Sequence, residues 1–450
     1  MATTYCTETP ASNGNLRTFT ISFWVKRGKE GAASGTSQQI IGQTVDQYFR
    51  VMFKDDNTLR CYDQSGFNFI TTKKFSDINS WYHIVLRIDT TQNTEADRAR
   101  LYVNGVLQTA YGTQTYPALN VELHFNRGQL HSIGRSSSSG GYDYFEGVLS
   151  EFCFIDGGSL GPDSFGETDT DTGEWRIKDL AANAFTWGTN GYRIFHNGNS
   201  VTDSSTNSND WTAYGSLTNT SDCPSNVFAV LNRLDNDNMS TGFLYGNTQV
   251  SGQSSESRKY YCSLTMGCLG NGKFYFEGLL EINNQGFLGV TSLDAIQNPS
   301  YHRYNNEYCG RYDYDYGYNF LDGQYYRNTS GTAYGGVSWT AGDYFSFGID
   351  NTNQKMYIAK NGTWINSANP SSGTGGIDYS GIGSNVMFIV SDNNSAGYNK
   401  FSFNFGNGVF STNTISGTTY SPTVGDTTAK FKYNIIPTGF TALSTKGLNA

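Results

Sequence analysis

Charged residues are scarce in this sequence, and the basic ones are not clustered. Asp, Glu, Lys and Arg make up 15% of the 450 residues, the formal net charge is −9, and no cluster of Lys and Arg exceeds the "TKK" at residues 72–74. Proteins that bind nucleic acid usually carry a basic stripe that meets the phosphates. This composition therefore excludes nucleic acid as the expected partner.

Long apolar runs are also absent. No stretch of about 18 apolar residues exists that could form a membrane-spanning helix. The start, "MATTYCTETPASNGNLRTFTISF", has neither the basic region nor the apolar region of a secretory signal peptide. We expect a protein that is made soluble in a cytoplasm, with no signal peptide and no membrane span.

The cysteines are few and lack a metal-binding pattern. Their number is odd and no C-x-x-C pair occurs, so neither a disulfide framework nor a zinc site is expected. Most of them should be small buried apolar residues. The seven are Cys6, Cys61, Cys153, Cys223, Cys262, Cys268 and Cys309.

Leu, Ala and Lys, which favour helices, are sparse for this length. Gly (52), Tyr (31), Phe (29), Ser, Thr and Asn are abundant instead, a profile typical of strands and tight turns. The chain is also longer than the length that one hydrophobic core usually serves. Its apolar fraction of 37% is enough to form two hydrophobic cores. We expect two all-β domains.

Alternation of apolar and polar residues supports this expectation. It is clear in "TFTISFWVK", "WYHIVLRID" and "YFEGVLSEFCFIDG", and again in "KFYFEGLLEI", "YFSFGID" and "NKFSFNFGNGVF". The residues predicted to face a core are Phe19, Ile21, Phe23, Val25, Tyr82, Ile84, Leu86, Ile88, Phe274, Phe276, Leu280, Ile282, Phe345, Phe347, Ile349, Phe401, Phe403 and Phe405.

Two antiparallel β-sandwich domains are therefore predicted. The first covers residues 1–160. Residues 161–225 are rich in Ser, Thr, Asn and Gly and are interpreted as a connector with a flanking strand. The second sandwich covers residues 226–450, including a closing segment at its C-terminal end.

Motifs for catalysis find little support. "GCLGNGK" at 267–273 has the spelling of a phosphate loop, but no Ser or Thr follows and Phe274 opens a strand, so a hairpin turn is expected. The histidines have no G-x-S-x-G or Cys-centred motif to serve, and His83, in an alternating strand, is expected to be structural. We predict that the protein is not an enzyme.

The acidic stretch "ETDTDTGE" at 167–174 is the best candidate for a carboxylate site. Glu167, Asp169 and Asp171 would point the same way on an extended segment, as in glycosidases, yet Thr separates them and the segment lies in the connector. We expect a solvated turn. A weakly held calcium ion on Asp169 and Asp171 is the second interpretation and a glycosidase the third; no other cofactor is predicted.

Tyrosines are concentrated at residues 301–326. "RYDYDYGYNF" alternates tyrosine with Asp313, Asp315 and Gly317, so we predict one strand with a buried aromatic face and a wet acidic face. The other interpretation is that rings here, with His302, line a saccharide or protein surface. The candidate ligand-binding residues are Tyr312, Asp313, Tyr314, Asp315, Tyr316, Tyr318, Tyr325, Asn361 and Trp364, of which the last could equally anchor its hairpin in the core.

The order of these stretches resembles a known family. "ASNGNLRTFTISFWVKRG", "SWYHIVLRIDTTQNTEADRARLYVNGV" and "YFEGVLSEFCFIDGGSLGPDSFGETDTDTGEW" are similar to the laminin-G-like, concanavalin A-type jelly roll of large structural proteins of marine bacteriophages. "GKFYFEGLLEI", "GFLGV", "GDYFSFGIDNTNQKMYIAKNGTW" and "FNFGNGVF" resemble a SPRY-like sandwich, and "PTGFTALSTKGL" resembles the segment that ends it. The likeness covers nearly the whole chain.

This resemblance implies a lectin-like virion surface protein of the tail-fibre or receptor-binding type. Such a protein would attach to a host cell-surface glycan or protein through loops of its β-sandwiches, contact other virion structural proteins, and form a homo-oligomer, with a trimer as the fibre-like arrangement. A second hypothesis is a purely structural capsid or tail decoration protein that binds only other virion subunits. A third is a glycan-degrading enzyme.

Overall fold

The computed structural model describes residues 4–29, 37–43, 48–136, 144–170, 173–237, 242–252, 261–297, 308–393 and 398–448. The chain divides into two compact units. Unit 1 comprises Met1–Thr218 with Cys223–Ser225, and unit 2 comprises Asn219–Asp222 with Asn226–Ala450. Each unit has its own hydrophobic core.

Unit 1 is built of strands and two short 3₁₀ turns, Glu95–Asp97 and Pro162–Ser164. Its described strands are β1 Tyr5–Glu8, β2 Thr18–Arg27, β3 Gln38–Gln43, β4 Phe49–Phe53, β5 Thr58–Asp63, β6 Phe67–Lys74, β7 Trp81–Asp89, β8 Ala99–Val103, β9 Val106–Leu107, β10 Tyr111–Thr115, β11 His131–Ile133, β12 Gly147–Asp156, β13 Gly166–Thr168, β14 Trp175–Ile177, β15 Tyr192–Ile194 and β16 Thr212–Tyr214.

Two antiparallel sheets of unit 1 face each other across its core. Within the described ranges, one has the order β10-β6-β5-β4-β3-β11-β1-β16 and the other the order β15-β12-β2-β7-β8-β9. Strand β2 pairs with β7 from Thr18↔Asp89 to Lys26↔Trp81. The predicted inward residues of both strands lie in the core, where the Phe19 ring of one sheet meets Phe49 of the other at 6.3 Å.

The outer face of the second sheet is covered by the hairpin β13-β14. The indole Nε1 of Trp175 donates to Nδ1 of buried His83 at 3.0 Å, while Ser22 Oγ lies 2.9 Å from His83 Nε2. Trp24 stacks on the same imidazole at 4.7 Å. Burial lowers the pKa of His83 to about 3. His83 is therefore a neutral structural residue of the sheet, as its alternating strand predicts.

Residues 161–225 supply strands to both sheets of unit 1. Strand β15 pairs with β12 through Phe152↔Ile194, and β16 pairs with β1 through Tyr5↔Tyr214. Trp187 and Trp211 from this segment are buried, at 2% and 4% exposure. Strands β15 and β16 of the Ser/Thr/Asn-rich segment are thus part of the first sandwich.

Unit 2 contains further strands, two short helices and two 3₁₀ turns, Pro370–Ser372 and Ser380–Ile382. The helices are α1 Leu293–Gln297 and α2 Thr445–Leu448. The described strands are β17 Leu231–Asp237, β18 Phe243–Leu244, β19 Gln249–Ser251, β20 Tyr261–Leu264, β21 Lys273–Ile282, β22 Gly286–Ser292, β23 Asp315–Asn319, β24 Gln324–Arg327, β25 Ser330–Ala333, β26 Tyr344–Asp350, β27 Lys355–Lys360, β28 Thr363–Trp364, β29 Ile377–Asp378, β30 Val386–Asp392, β31 Lys400–Asn404, β32 Val409–Phe410, β33 Asn413–Thr414 and β34 Thr441–Ala442.

Unit 2 is a second sandwich. Its described strands form one sheet ordered β17-β20-β30-β22-β23-β24-β25 and another ordered β18-β19-β31-β21-β26-β27-β28, which β29 and the parallel strand β34 extend. Phe276 of the second sheet meets Phe388 of the first at 4.6 Å across the core. The predicted inward phenylalanines at 345, 347, 401, 403 and 405 are all buried. The all-β prediction with two antiparallel sandwiches is confirmed.

A C-terminal segment crosses the second sheet of unit 2 at a buried carboxylate. Glu277 is 0% exposed and projects from β21 on the face opposite Phe276. Its Oε2 accepts from the backbone N of Lys432 at 2.7 Å, and its Oε1 accepts from the backbone N of Tyr433 at 2.9 Å and from Tyr275 Oη at 3.0 Å. The side chain ties residues 432–433 to the sheet.

All seven cysteines are free thiols and six are buried, as expected. The sequence at 267–273 leads into strand β21, which begins at Lys273, so the phosphate-loop interpretation is rejected. Among the described residues, no helix has the length and apolarity needed to span a bilayer.

Candidate functional site

An open polar depression lies at the start of β2 in unit 1. It has a volume of about 580 Å³. Its lining residues are Asn13, Gly14, Asn15, Leu16, Arg17, Thr18, Thr91 and Glu122. Apart from buried Leu16 and half-buried Gly14 and Thr18, these residues are exposed. A ligand would therefore meet amide, hydroxyl, guanidinium and carboxylate groups.

The floor of the depression is a tight turn fixed by Asn15. Its Oδ1 accepts from the backbone N of Arg17 at 3.0 Å and of Thr18 at 2.9 Å, which starts β2. A side-chain amide that caps the following backbone groups is a common way of fixing a turn. Arg17 and Thr18 are thus held in place by a local bond pattern.

A buried network anchors this turn to the sandwich. The carboxylate of Asp156 accepts from the backbone N of Asn15 at 2.7 Å, from Asn126 Nδ2 at 2.6 Å and from the backbone N of Asn190 at 3.1 Å. A Cβ on Gly14 would lie 2.4 Å from Asn126 Nδ2 and 2.5 Å from Asp156 Oδ2. Only glycine fits there without displacing the network.

Charges at the rim are balanced. Arg17 Nη2 lies 3.1 Å from Glu122 Oε1, and both side chains are about half exposed. Thr91 Oγ1 donates to Asp89 at 2.6 Å. Although burial acts to raise the pKa of Asp89, hydrogen bonds from Thr91, Gln92 and Thr18 lower it below its ordinary value. A fixed carboxylate therefore orients Thr91 at the rim.

This arrangement can hydrogen-bond a neutral, hydroxyl-rich ligand. Exposed amide and guanidinium groups donate, and the carboxylate of Glu122 accepts, which matches hydroxyls that do both. The turn is already formed by Asn15 and Asp156, so little ordering is required on binding.

The tyrosine segment does not form the single strand predicted for it. Strand β23 covers only Asp315–Asn319, and Tyr312 and Tyr314 precede it with their rings stacked at 5.0 Å. Tyr316 and Tyr318 are buried, as the packing interpretation predicts. Trp339 Nε1 donates to Tyr318 Oη at 2.9 Å.

The expected wet acidic face is wrong for Asp315, which is 1% exposed. Residues 308–312 cover that face: Cys309 Sγ contacts the carbonyl O of Tyr316 at 3.1 Å, and Asp315 Oδ1 accepts from the backbone N of Tyr312 at 3.0 Å. Burial raises the pKa of Asp315 to about 8. Asp313 is exposed as predicted.

The remaining tyrosine-region candidates have structural contacts. Asn361 occupies a turn with φ 48°, where its Oδ1 accepts from the backbone N of Tyr344 at 2.8 Å. Trp364 is partly buried and packs against Tyr275 at 6.3 Å and Tyr357 at 6.2 Å, the contacts expected of a hairpin anchor. His302 lies outside the described residues.

These candidates are divided between the two sheets of unit 2. Tyr316, Tyr318 and Tyr325 belong to the sheet that contains β23 and β24, whereas Asn361 and Trp364 belong to the sheet that contains β27 and β28.

An arginine side chain pairs with the acidic stretch at 167–174. Arg176 lies 3.0 Å from Glu167 Oε1 and 2.6 Å from Asp169 Oδ2. Asp171, the other residue considered for calcium, lies outside the described part of the chain. Within that described part, no group of three or more His, Cys, Asp and Glu side chains is arranged to hold a metal ion.

The polar depression was not predicted from the sequence. Its residues come from three separate places, 13–18, 91 and 122, and only Thr18 lies in an alternating stretch. The only local signal is "ASNGN" before β2, a run of turn residues.

Comparison with known families finds a match for most of the first sandwich. Residues 2–157 match the model of the concanavalin A-like lectin/glucanases superfamily. This stretch includes every residue that lines the depression. A search of the curated proteins finds no match.

Several solved structures show distant likenesses to parts of this chain. The SPRY domain of human HERC1 is 15% identical, with a TM-score of 0.29, and the match covers 38% of this chain and 96% of that one. A protein from Bacteroides ovatus whose name describes carbohydrate binding is 15% identical, with a TM-score of 0.33, over 48% of this chain and 56% of that one. A SAP-like pentraxin from Limulus polyphemus is 17% identical, with a TM-score of 0.26, over 35% and 71%.

Proposed function

We propose that unit 1 binds a neutral glycan at the polar depression, and that it does so without catalysis. The observation that carries this proposal is the depression itself: amide, guanidinium, hydroxyl and carboxylate groups around a turn that Asn15 and Asp156 hold rigid. The match of residues 2–157 to a superfamily that includes lectins supports the same ligand class.

Charge favours a neutral glycan over an acidic one. The charged side chains of the lining, Arg17 and Glu122, form a pair, and the chain carries a formal net charge of −9. An anionic sugar would have to compete with Glu122 for the guanidinium and approach an acidic protein. The hydroxyl groups of a neutral glycan carry no charge and are not repelled in this way.

The biological role that we propose is attachment of a bacteriophage virion to its host. This step rests on the resemblance of both sandwiches to structural proteins of marine bacteriophages, and it makes the glycan a component of the host cell surface. Several copies on one virion would raise a weak affinity of each site by avidity.

The test is binding of the full chain to a panel of immobilised neutral and acidic bacterial surface glycans. Arg17→Ala and Glu122→Gln should each weaken binding to a retained neutral glycan about tenfold, since hydrogen bonds to charged groups contribute ~1.5 kcal/mol. Unit 1 also offers a matched control. Arg176 and Glu167 form a pair of similar exposure and length, at 3.0 Å.

Arg176→Ala and Glu167→Gln should leave binding unchanged. If substitutions in the Arg176–Glu167 pair weaken glycan binding as much as those in the Arg17–Glu122 pair, the assignment of the depression is refuted. Retention of acidic glycans alone would refute it as well. Competition of the purified chain with phage adsorption to the host then tests the proposed role. If the chain retains glycan but does not compete, attachment is refuted while glycan binding stands.

A further inference from the structure

A second feature of unit 1 is a column of stacked side chains at the edge of its larger sheet. The rings of Tyr5 and Tyr214 stack at 4.7 Å with an interplanar angle of 8°. The guanidinium of Arg135 lies 3.5 Å over the centroid of the Tyr5 ring. A guanidinium and a parallel ring cannot both fit on one face at these distances, so Tyr5 lies between Arg135 and Tyr214.

The strand pairing explains the column. Tyr5 lies opposite Tyr214 in the β1-β16 pair, and Cys6 lies opposite Ile133 in the β1-β11 pair, which brings Arg135 to the other side of Tyr5. Cys6 is in the core. Because neighbouring side chains of a strand alternate between faces, Tyr5 and Tyr214 project from the outer face of the sheet.

The column ends in an accessible ring. Strand β16 is the last strand in the described order of this sheet, so no strand follows beyond Tyr214. The Tyr214 side chain is 43% exposed although one of its faces packs on Tyr5. The residues around it on β16, Thr212 and Ala213, are exposed as well, and so is Ser216.

We propose that the Tyr214 ring is a stacking platform for one pyranose ring of a neutral glycan. A tyrosine ring presents a flat apolar face with a polar tip, which suits a sugar that has a C–H face and hydroxyls at its rim. The ring is held by Tyr5 and Arg135 before any ligand arrives, so binding orders little. The neighbouring side chains Thr212, Ala213 and Ser216 are all small, which fits a single sugar ring rather than a wide protein interface.

This inference takes its ligand class from the proposed function but does not depend on the polar depression. The two sites share no residue, so their failures can be separated. Saturation-transfer NMR with the full chain and methyl glycosides of glucose, galactose, mannose and N-acetylglucosamine reports which sugar protons contact the protein. Stacking predicts that saturation falls mainly on the C–H protons of one sugar face.

Tyr214→Ala should reduce the saturation and the affinity by roughly threefold to tenfold, whereas Tyr214→Phe should keep both, because the ring face carries the contact. Tyr245→Ala in unit 2 is the matched control, since Tyr245 is 40% exposed, and it should have no effect. Circular dichroism and thermal unfolding show whether each variant folds.

Two results would overturn the inference: a Tyr214→Ala variant that is folded and keeps the wild-type saturation pattern, or no saturation of any of these sugars by the wild-type chain. If Arg17→Ala loses all saturation and Tyr214→Ala keeps the wild-type saturation, the platform is refuted and the depression remains as the glycan site. The reverse pattern would support the platform and refute the depression.

Discussion

Replacing Glu277 with Gln should flatten the pH dependence of stability of unit 2. Burial raises the pKa of Glu277 from 4.5 to about 7, and the hydrogen bonds from Lys432, Tyr433, Tyr275 and Asn404 only partly offset this. Its contribution to stability is therefore fully present below pH 4.5 and is lost as pH rises through 7.

The magnitude follows from the same values. A rise in pKa from 4.5 to about 7 corresponds to about 3 kcal/mol at 1.36 kcal/mol for each pH unit. Glu277 is fully buried, so solvent screening does not reduce this figure much. Glu277→Gln removes the ionisation and leaves one amide N–H facing the backbone N of Lys432, which costs about 1–3 kcal/mol at every pH.

The assay is urea unfolding of the full chain between pH 4.5 and 8, with hydrogen exchange of peptides from β21 and residues 430–434 assigning the transition to unit 2. Between these limits the wild type should lose about 3 kcal/mol more than the variant. Glu281→Gln, four residues along the same strand and partly exposed, controls for the loss of one negative charge. Parallel pH profiles of wild type and Glu277→Gln would refute this explanation.

Three further outcomes are expected. Asp315→Asn should also reduce the loss of stability as pH rises, here between pH 4 and 8, because burial raises the pKa of Asp315 to about 8; an unchanged profile in the same unfolding assay would contradict this. Trp364→Ala should destabilise unit 2 by about 3 kcal/mol while glycan binding by unit 1 is kept, because the indole anchors a hairpin; loss of binding would return Trp364 to the candidate ligand residues. Asp156→Ala should cost about 3 kcal/mol in unit 1 and abolish binding at the depression, since three donors lose their acceptor; a folded variant with intact binding would show that the turn does not need its anchor.

Period-two alternation predicted the inner faces of both sandwiches. Phe19 and Ile84 in unit 1, and Phe276 and Phe403 in unit 2, lie where their strands placed them. Alternation is a local property of a strand with one buried face, so it can be read without knowing the partner strand.

The same reasoning was wrong where a second layer covers the outer face of a sheet. Asp315 alternates with buried tyrosines and was expected in water, yet residues 308–312 pack over it. Nothing in the local sequence of β23 indicates that cover. Glu277 is buried for the same reason, by a segment about 155 residues later in the chain.

The candidate site was hidden for a related reason. The depression joins residues 13–18 to Thr91 and Glu122, and its anchor Asp156 lies far from all of them in the sequence. Turn residues predict where the chain bends but not which bends meet. Aromatic density instead directed attention to residues 312–318, where the structure shows mainly packing.

Glycan binding at the depression is tested most directly by a crystal structure of the full chain with the neutral glycan that it retains best. We expect a sugar residue in the depression of unit 1, with hydroxyls within hydrogen-bond distance of Asn13, Arg17 or Glu122. A glycan bound only at residues 312–326 of unit 2, with the depression empty, would contradict it.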